Sequence, residues 1–556
     1  MTTTTGWTGV ATSPSRKVAS NSEPIPTTDR DTEPDPLNKH RPPEDPSPTN
    51  VAQKKHRSAS PVPPVQDDIT HSREGVSQDA QAATSQMVCS PQNARETLLA
   101  WEDDPYAIEP ELTLHLLDYY FTHLNNAVYC MFPRSHFLNW VKTSSTKCQN
   151  ERMMLYAMLA AASIFADELS FFGKQCARLV EDAVASQIGR ANMCLAQSNM
   201  LLSLYHFAKD SNDLAWDYMG SAIRVVTKMQ LNSEKKCVDD EVWMTQTRVE
   251  FMFSREQLAE CKRRTFWSAF FMDRFCNATT CVIKPEDVFV RLPCTDAMYE
   301  QSVPSDAPYF NNDIIDLVHT LLTPTSPISP MAWLALVIAT FGDVGDFMFR
   351  SSHRAAASYG DAYESFYNNV CNRLQGWSTR LPESLQYNET NLDRSIQQGY
   401  ADTFISMHVI CHFALLKLNR CIRHALLPAS VPRNIRAAHF HGHQILQIMT
   451  SLRAARRDIA APAVGQPTIF TFSTPFPGYA TLSAIDVVSG GGLDSNLGAT
   501  VDEVEDGLAC LRELSNYWNS AKDQLRACQK RSYQIQSVVA GLTLHGAAAG
   551  CNANGA

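Results

Sequence analysis

The apolar residues of this chain recur every three to four positions in one segment after another, and that period restricts the chain to helices. In PELTLHLLDYYFTHLNN (110–126), Leu112, Leu116, Tyr120 and Leu124 fall four apart, flanked by Leu117 and Phe121, and Pro110 suits a first helical position. The same period predicts helices over 152–166, 174–190, 195–208, 214–231 and 260–275. It recurs over 332–349, 361–381, 399–427, 433–452, 479–488 and 504–525. Sustained alternation is missing, and β-branched residues do not cluster between turn residues, so strands are not expected. The expected fold class is all-α, a large multi-helix array or bundle. No fixed repeat period argues for a regular solenoid.

The first 94 residues depart from this pattern. They hold thirteen of the chain's 30 prolines, no Phe or Tyr, one Trp (Trp7) and one Leu (Leu37). Such a segment cannot bury enough apolar surface to offset chain entropy, so residues 1–94 are expected to be a disordered arm rich in Pro, Ser and Thr. Beyond it we expect an N-terminal helical part (95–293), a turn-rich connector (294–312), a C-terminal helical part packed on the same domain (313–530) and a flexible tail of small residues (531–556).

Charge and composition exclude several classes. The 48 Lys and Arg against 58 Asp and Glu give a formal net charge of −10, which opposes non-specific nucleic-acid binding. The opening MTTTTGWTGVATSPSRKVAS lacks the apolar core of a signal peptide, and the apolar run 153–166 falls short of the roughly 20 residues that span a bilayer, so no membrane is expected. The 16 cysteines are scattered and read as buried thiols. Lys54, Lys55, His56 and Arg57 form the arm's one basic cluster, a candidate nuclear import signal or simply solvated linker charge.

In ECKRRTFWSAFFMDR (260–274), three basic residues precede an aromatic run. On a helix, Phe266, Phe270 and Arg274 share one line, and Trp267, Phe271 and Phe275 the next, which makes a broad face that must be buried. Arg263 and Arg264 would fall in the first turn, where the helix dipole disfavours positive charge. Carboxylates such as Glu256 or Glu260 are expected to compensate them. A DNA-reading helix would keep one exposed polar face instead, so the segment is read as core with charged ends.

These residues also carry a resemblance. KRRTFWSAFFMDR, with Arg263, Arg264, Phe266, Trp267, Asp273 and Arg274, resembles a helix of the fungal-specific transcription factor domain, the helical middle region of fungal zinc-cluster regulators. Upstream, AWDYMGSAIRVVTKMQL resembles the preceding element through Trp216, Gly220 and Arg224, and LLDYYFTHLNNAVYCMFPRSHF its opening helix. Downstream, IKPEDVFVRLP resembles the closing acidic pair and Leu-Pro, here Asp287 and Pro293. LQGWSTRLPESL and HFALLKLNRCIRHALLP resemble later elements. NATTCVI replaces the usual glycine turn after the Asp-Arg helix.

The resemblance implies structural roles for those motif residues and a non-enzymatic nuclear regulator of RNA polymerase II transcription. Its partners would be proteins, as a homo- or heterodimer, with a small-molecule effector as a further implied partner. The family's zinc cluster needs six cysteines. Here Cys89 is the one cysteine before Cys130, and no C-x2-C occurs, so no zinc cofactor is expected in this chain and DNA contact would be indirect or through a cluster these residues do not supply. A co-regulatory scaffold acting through a zinc-cluster partner is the alternative.

Other motifs point elsewhere. His408 and His412 stand four apart like two zinc ligands, and His439, His441 and His443 could supply a third, but Val409 occupies the place of a protease glutamate. Asp313 and Asp316 resemble the magnesium site of all-helical prenyl-diphosphate enzymes, without the second motif such an enzyme needs, and read better as a helix cap. The glycine-rich 490–498 lacks the Lys-Ser/Thr of a phosphate loop.

Overall fold

The computed structural model of the protein describes residues 102–126, 128–234, 249–276, 280–310, 328–457, 472, 474–490 and 497–553. Contacts divide the chain into Met1–Ser85 and Gln86–Ala556, and the described residues lie in the second unit. The basic cluster at 54–57, Asp313, Asp316 and most of the glycine-rich 490–498 fall outside them.

Seventeen α-helices build the described part. The first half comprises α1 (Pro105–Ile108), α2 (Pro110–His123), α3 (Arg134–Thr143), α4 (Gln149–Ala162), α5 (Ser170–Ser186), α6 (Met193–Ala208), α7 (Asn212–Lys228), α8 (Arg255–Cys276) and α9 (Asp296–Glu300). The second half comprises α10 (Pro330–Ser352), α11 (Ala356–Arg380), α12 (Glu389–Gln397), α13 (Ala401–Arg420), α14 (Val431–Arg457), α15 (Phe476–Ser489), α16 (Leu497–Tyr517) and α17 (Asn519–Ala553). Among the described residues β structure is limited to isolated bridges, Ser233 to Phe289, Arg291 to Tyr309 and Cys294 to Ile328.

Local chemistry starts these helices. Asn192 accepts from the Leu195 amide before α6, Ser329 from Ala332 before α10, and Asn388 from Asn391 before α12, each satisfying an amide left over at a helix start. Pro110 and Pro330 occupy the first turns of α2 and α10, where a missing N–H costs nothing. Consecutive helices then pair: α6 with α7, α13 with α14, and α16 with α17. α8 touches α6, α7 and α10, and one apolar cluster runs from Leu116 to Cys528. α10 and α13 are long and apolar enough to cross a membrane, yet most of each is buried inside the protein, as core helices are.

Several boundaries differ from the sequence expectation. The helix expected over 399–427 stops at Arg420, and the one over 504–525 is interrupted at Trp518. There the fully buried indole donates from Nε1 to the Phe472 carbonyl at 3.2 Å, so packing ends α16 without Gly or Pro. The connector over 294–312 is folded onto the core: Cys294, Tyr299, Ala307 and Phe310 are buried, and α9 lies within it. The tail expected to be flexible from 531 continues α17 to Ala553, with Ser532 buried and donating to Glu505 at 2.8 Å.

Candidate functional site

α8 is buried on nearly every side from Arg263 to Arg274, with Lys262 exposed just before. It begins at Arg255, so Arg263 and Arg264 lie mid-helix, not in the first turn as the sequence suggested. Burial, more than the helix dipole, therefore creates the demand for anions here.

That demand is met by residues from three parts of the chain. Arg264, fully buried, donates from Nε to Glu260 Oε1 at 2.8 Å, from Nη1 to Asp296 Oδ1 at 2.7 Å, and from Nη2 to the Cys294 carbonyl at 2.7 Å. Its Nη1 also lies 2.9 Å from Cys130 Sγ, and its guanidinium covers the Tyr299 ring at 4.7 Å. Arg263 donates to Glu234 from Nε at 2.8 Å and Nη2 at 3.0 Å, the bidentate fork that suits a guanidinium, and also meets Glu260. Glu260 accepts in addition from the Cys294 amide at 3.0 Å, and Glu234 from the Arg291 amide at 3.0 Å. Burial opposes the charge on Arg264, but the carboxylates of Asp296 and Glu260 hold its pKa well above the ordinary value. Burial pushes the Cys130 thiol up, so it stays protonated.

The far end of α8 repeats the device. Asp273 accepts from the amides of Val282 (3.1 Å) and Ile283 (2.9 Å), at the end of the stretch that replaces the glycine turn. Arg274 donates to the carbonyls of Phe270 (3.2 Å) and Ile283 (2.8 Å) and packs against Gly342, where an added Cβ would sit 3.0 Å from its Nε. Burial lowers the Arg274 pKa. Between the two ends, Trp267 Nε1 donates to the Arg291 carbonyl at 2.9 Å, and its ring meets Phe270 and Phe310 at 5.1 Å. The motif clasps 280–310 onto α8. Trp267→Ala is expected to cost about 3–5 kcal/mol by opening a cavity and freeing that carbonyl, measurable as a large drop in the denaturant midpoint; an unchanged midpoint would remove the clasp.

The remaining motif residues separate into two groups. Phe266 is fully buried, and Pro293, also buried, has a carbonyl that accepts from the Ser329 amide at 3.0 Å. Asp287 is exposed and offers its carbonyl to Asn232 Nδ2 at 2.9 Å. Trp216, Gly220 and Arg224, to which the resemblance gave structural roles, lie on the exposed face of α7, and Trp216 keeps 58% of its surface in solvent. Packing does not account for them. Sequence reasoning missed Glu234, Asp296, Cys130 and Cys294 as partners, since only the tertiary fold brings them to α8.

The histidines come closer together than the sequence indicated. α13 and α14 pack side by side and bring His412 Nδ1 to 3.0 Å from His441 Nδ1, while His408 Nε2 meets the Leu385 carbonyl at 3.0 Å. His443 instead pairs with Glu503 at 2.6 Å. Among the described residues no group of three or more His, Cys, Asp or Glu could hold a metal ion. A surface cleft of about 640 Å³ lies nearby, lined by polar residues including Asn388, Gln447, Ser451 and Glu503.

Comparison with known proteins finds one family similar to the part of the chain that holds this helical clasp. Residues 117–357 of the chain match the fungal specific transcription factor domain. The chain is 24% identical over 328 residues to an uncharacterized transcriptional regulatory protein of Schizosaccharomyces pombe, covering 56% of this chain and 32% of that protein. It is 20% identical over 350 residues to a Zn(2)-C6 fungal-type transcription factor of Fusarium oxysporum f. sp. lycopersici, covering 59% and 36%. It is 22% identical over 284 residues to the citrinin biosynthesis transcriptional activator mrl3 of Monascus ruber, covering 48% and 52%. The chain thus spans about a third to a half of the length of these relatives. No solved structure matches it. The resembling stretches 374–385 and 412–428 lie beyond the matched domain but within the same apolar cluster.

Proposed function

We propose that this chain regulates RNA polymerase II transcription in the nucleus, its helical body working through protein contacts and not through chemistry or direct base reading. The observation that carries this reading is the matched regulatory domain, whose motif residues hold the body together around α8. The paired arginines of the motif are spent inside: Arg263 and Arg264 face Glu234, Glu260 and Asp296, so their charge is not offered to phosphates.

A second reading is a co-regulator that reaches DNA through a zinc-cluster partner. With Cys89 the one cysteine before Cys130 and no C-x2-C pair, these 556 residues do not supply a zinc-cluster ligand set. Fusing the full chain to a heterologous DNA-binding module should change a reporter's transcription severalfold, and Lys54, Lys55 and Arg57 replaced by alanine should shift the unfused protein from nucleus to cytoplasm. A fusion that is nuclear yet leaves the reporter unchanged in either direction would sink the regulatory reading. An unaltered nuclear signal in the triple variant would sink the import role of the cluster.

A further inference from the structure

The exposed face of α7 has no explanation within the fold. Asp213, Trp216, Asp217, Gly220 and Arg224 are all exposed along one side of this helix, and Leu214 at its edge is 46% exposed. Glycine inside a helix weakens it, and here nothing lies within 4 Å of where a Cβ would be, so no internal contact requires Gly220 to be small. One turn before this notch stands Trp216, the kind of side chain that anchors interfaces. Asp213, Asp217 and Arg224 make no ion pair among the described residues.

The order of these residues is self-complementary. Trp216 and Gly220 lie equally far from the level of Tyr218, on either side of it, about 6 Å apart along the axis. Two such helices crossing antiparallel at that level lay Trp216 of each over Gly220 of the other. The same crossing sets the acidic first turn, at Asp213, opposite Arg224 of the second copy, twice by symmetry. Parallel pairing would instead put Asp213 against Asp213 and Trp216 against Trp216. We infer that α7 pairs antiparallel with α7 of a second copy of this chain, Trp216 seating in the space over Gly220, in an isologous two-fold interface.

The inference does not rest on the regulatory reading above. One helix pair buries less than the roughly 1,200–2,000 Å² of a stable interface, so the dimer is weak, with dissociation in the micromolar range. Sedimentation velocity of the full chain across a concentration series tests it. The wild type should show a reversible monomer–dimer equilibrium. Gly220→Leu fills the notch while improving helix propensity, so it should weaken dimerisation by about tenfold or more with the melting temperature held or raised. Trp216→Ala should weaken it similarly. Asp213→Arg should weaken it, and adding Arg224→Asp in the same chain should restore it. A chain that stays monomeric at every concentration overturns the inference, as does a dimer indifferent to Gly220→Leu or a double exchange that fails to restore pairing.

Discussion

Arg264→Ala should destabilise the protein by about 3–5 kcal/mol, the range for breaking a buried ion pair by removing one partner. The size follows from what is left behind. Glu260 keeps Arg263, but the Cys294 carbonyl loses its buried donor, and Tyr299 loses the cation over its ring. Lysine cannot replace Arg264, because one ammonium cannot reach Glu260, Asp296 and the Cys294 carbonyl in their different directions. Arg264→Lys should therefore recover little of the loss. Glu260→Ala should also destabilise strongly, and the double variant should lose less than the two single losses added, by about 0.5–3 kcal/mol. Lys262→Ala, exposed beside them, should change stability by no more than about 0.5 kcal/mol. Denaturant midpoints decide. Arg264→Ala at wild-type stability, coupled to a loss of salt-sensitive DNA binding by the chain alone, would mean these arginines serve phosphates and not the core.

That cluster also marks where the sequence stops being informative. The aromatic face from Phe266 to Phe275 was legible from helical periodicity, and so was the need for carboxylates near Arg263 and Arg264. Glu260 was within reach of that reasoning because it lies on the same helix. Glu234 and Asp296 were not, since a return segment of unpredictable course brings them in. Four helices escaped the pattern: α1, α3 and α9 are short, and α12 is mostly polar around Leu392 and Ile396. The break at Trp518 escaped because packing, not a breaker residue, causes it.

The α7 face was misread for a different reason. Asp213, Asp217, Gly220 and Arg224 on one side of a helix already spell a solvent face, and a helical wheel would have placed Trp216 beside them. Motif matching drew Trp216, Gly220 and Arg224 into the structural set, whereas the periodicity of Ala215, Met219, Ala222, Ile223 and Val226 marks the buried side. Where a motif and a hydrophobic period disagree, burial follows the period, because apolar area removed from water is what packs a helix.

Acid should destabilise this protein well before its carboxylates titrate, because His123, His408 and His441 are buried, and His412 half-buried, in neutral form. Burial lowers the pKa of His123, His408 and His441 to about 4 each, and burial with His441 and His408 alongside lowers His412 well below its ordinary value. The His412–His441 contact joins two Nδ1 atoms at 3.0 Å, so one must donate and the other accept; a second proton would set N–H against N–H. Because these folded-state pKa values lie below the unfolded value near 6.5, the unfolded chain binds more protons between them, and stability falls as pH drops from about 6.5 toward 4. Each histidine contributes about 1.4 kcal/mol per pH unit in that window, so His123, His408 and His441 together should remove about 4 kcal/mol between pH 7.5 and 5.5, with His412 acting in the same direction. Glu250, whose pKa burial raises, opposes the trend as a single group. Urea unfolding at the two pH values measures the loss, and His441→Phe should flatten the slope by removing one titrating group and relieving His412. Equal stability at pH 7.5 and 5.5 would mean that these histidines are solvated or already charged in the folded protein, and the packing of α13 on α14 would need another account.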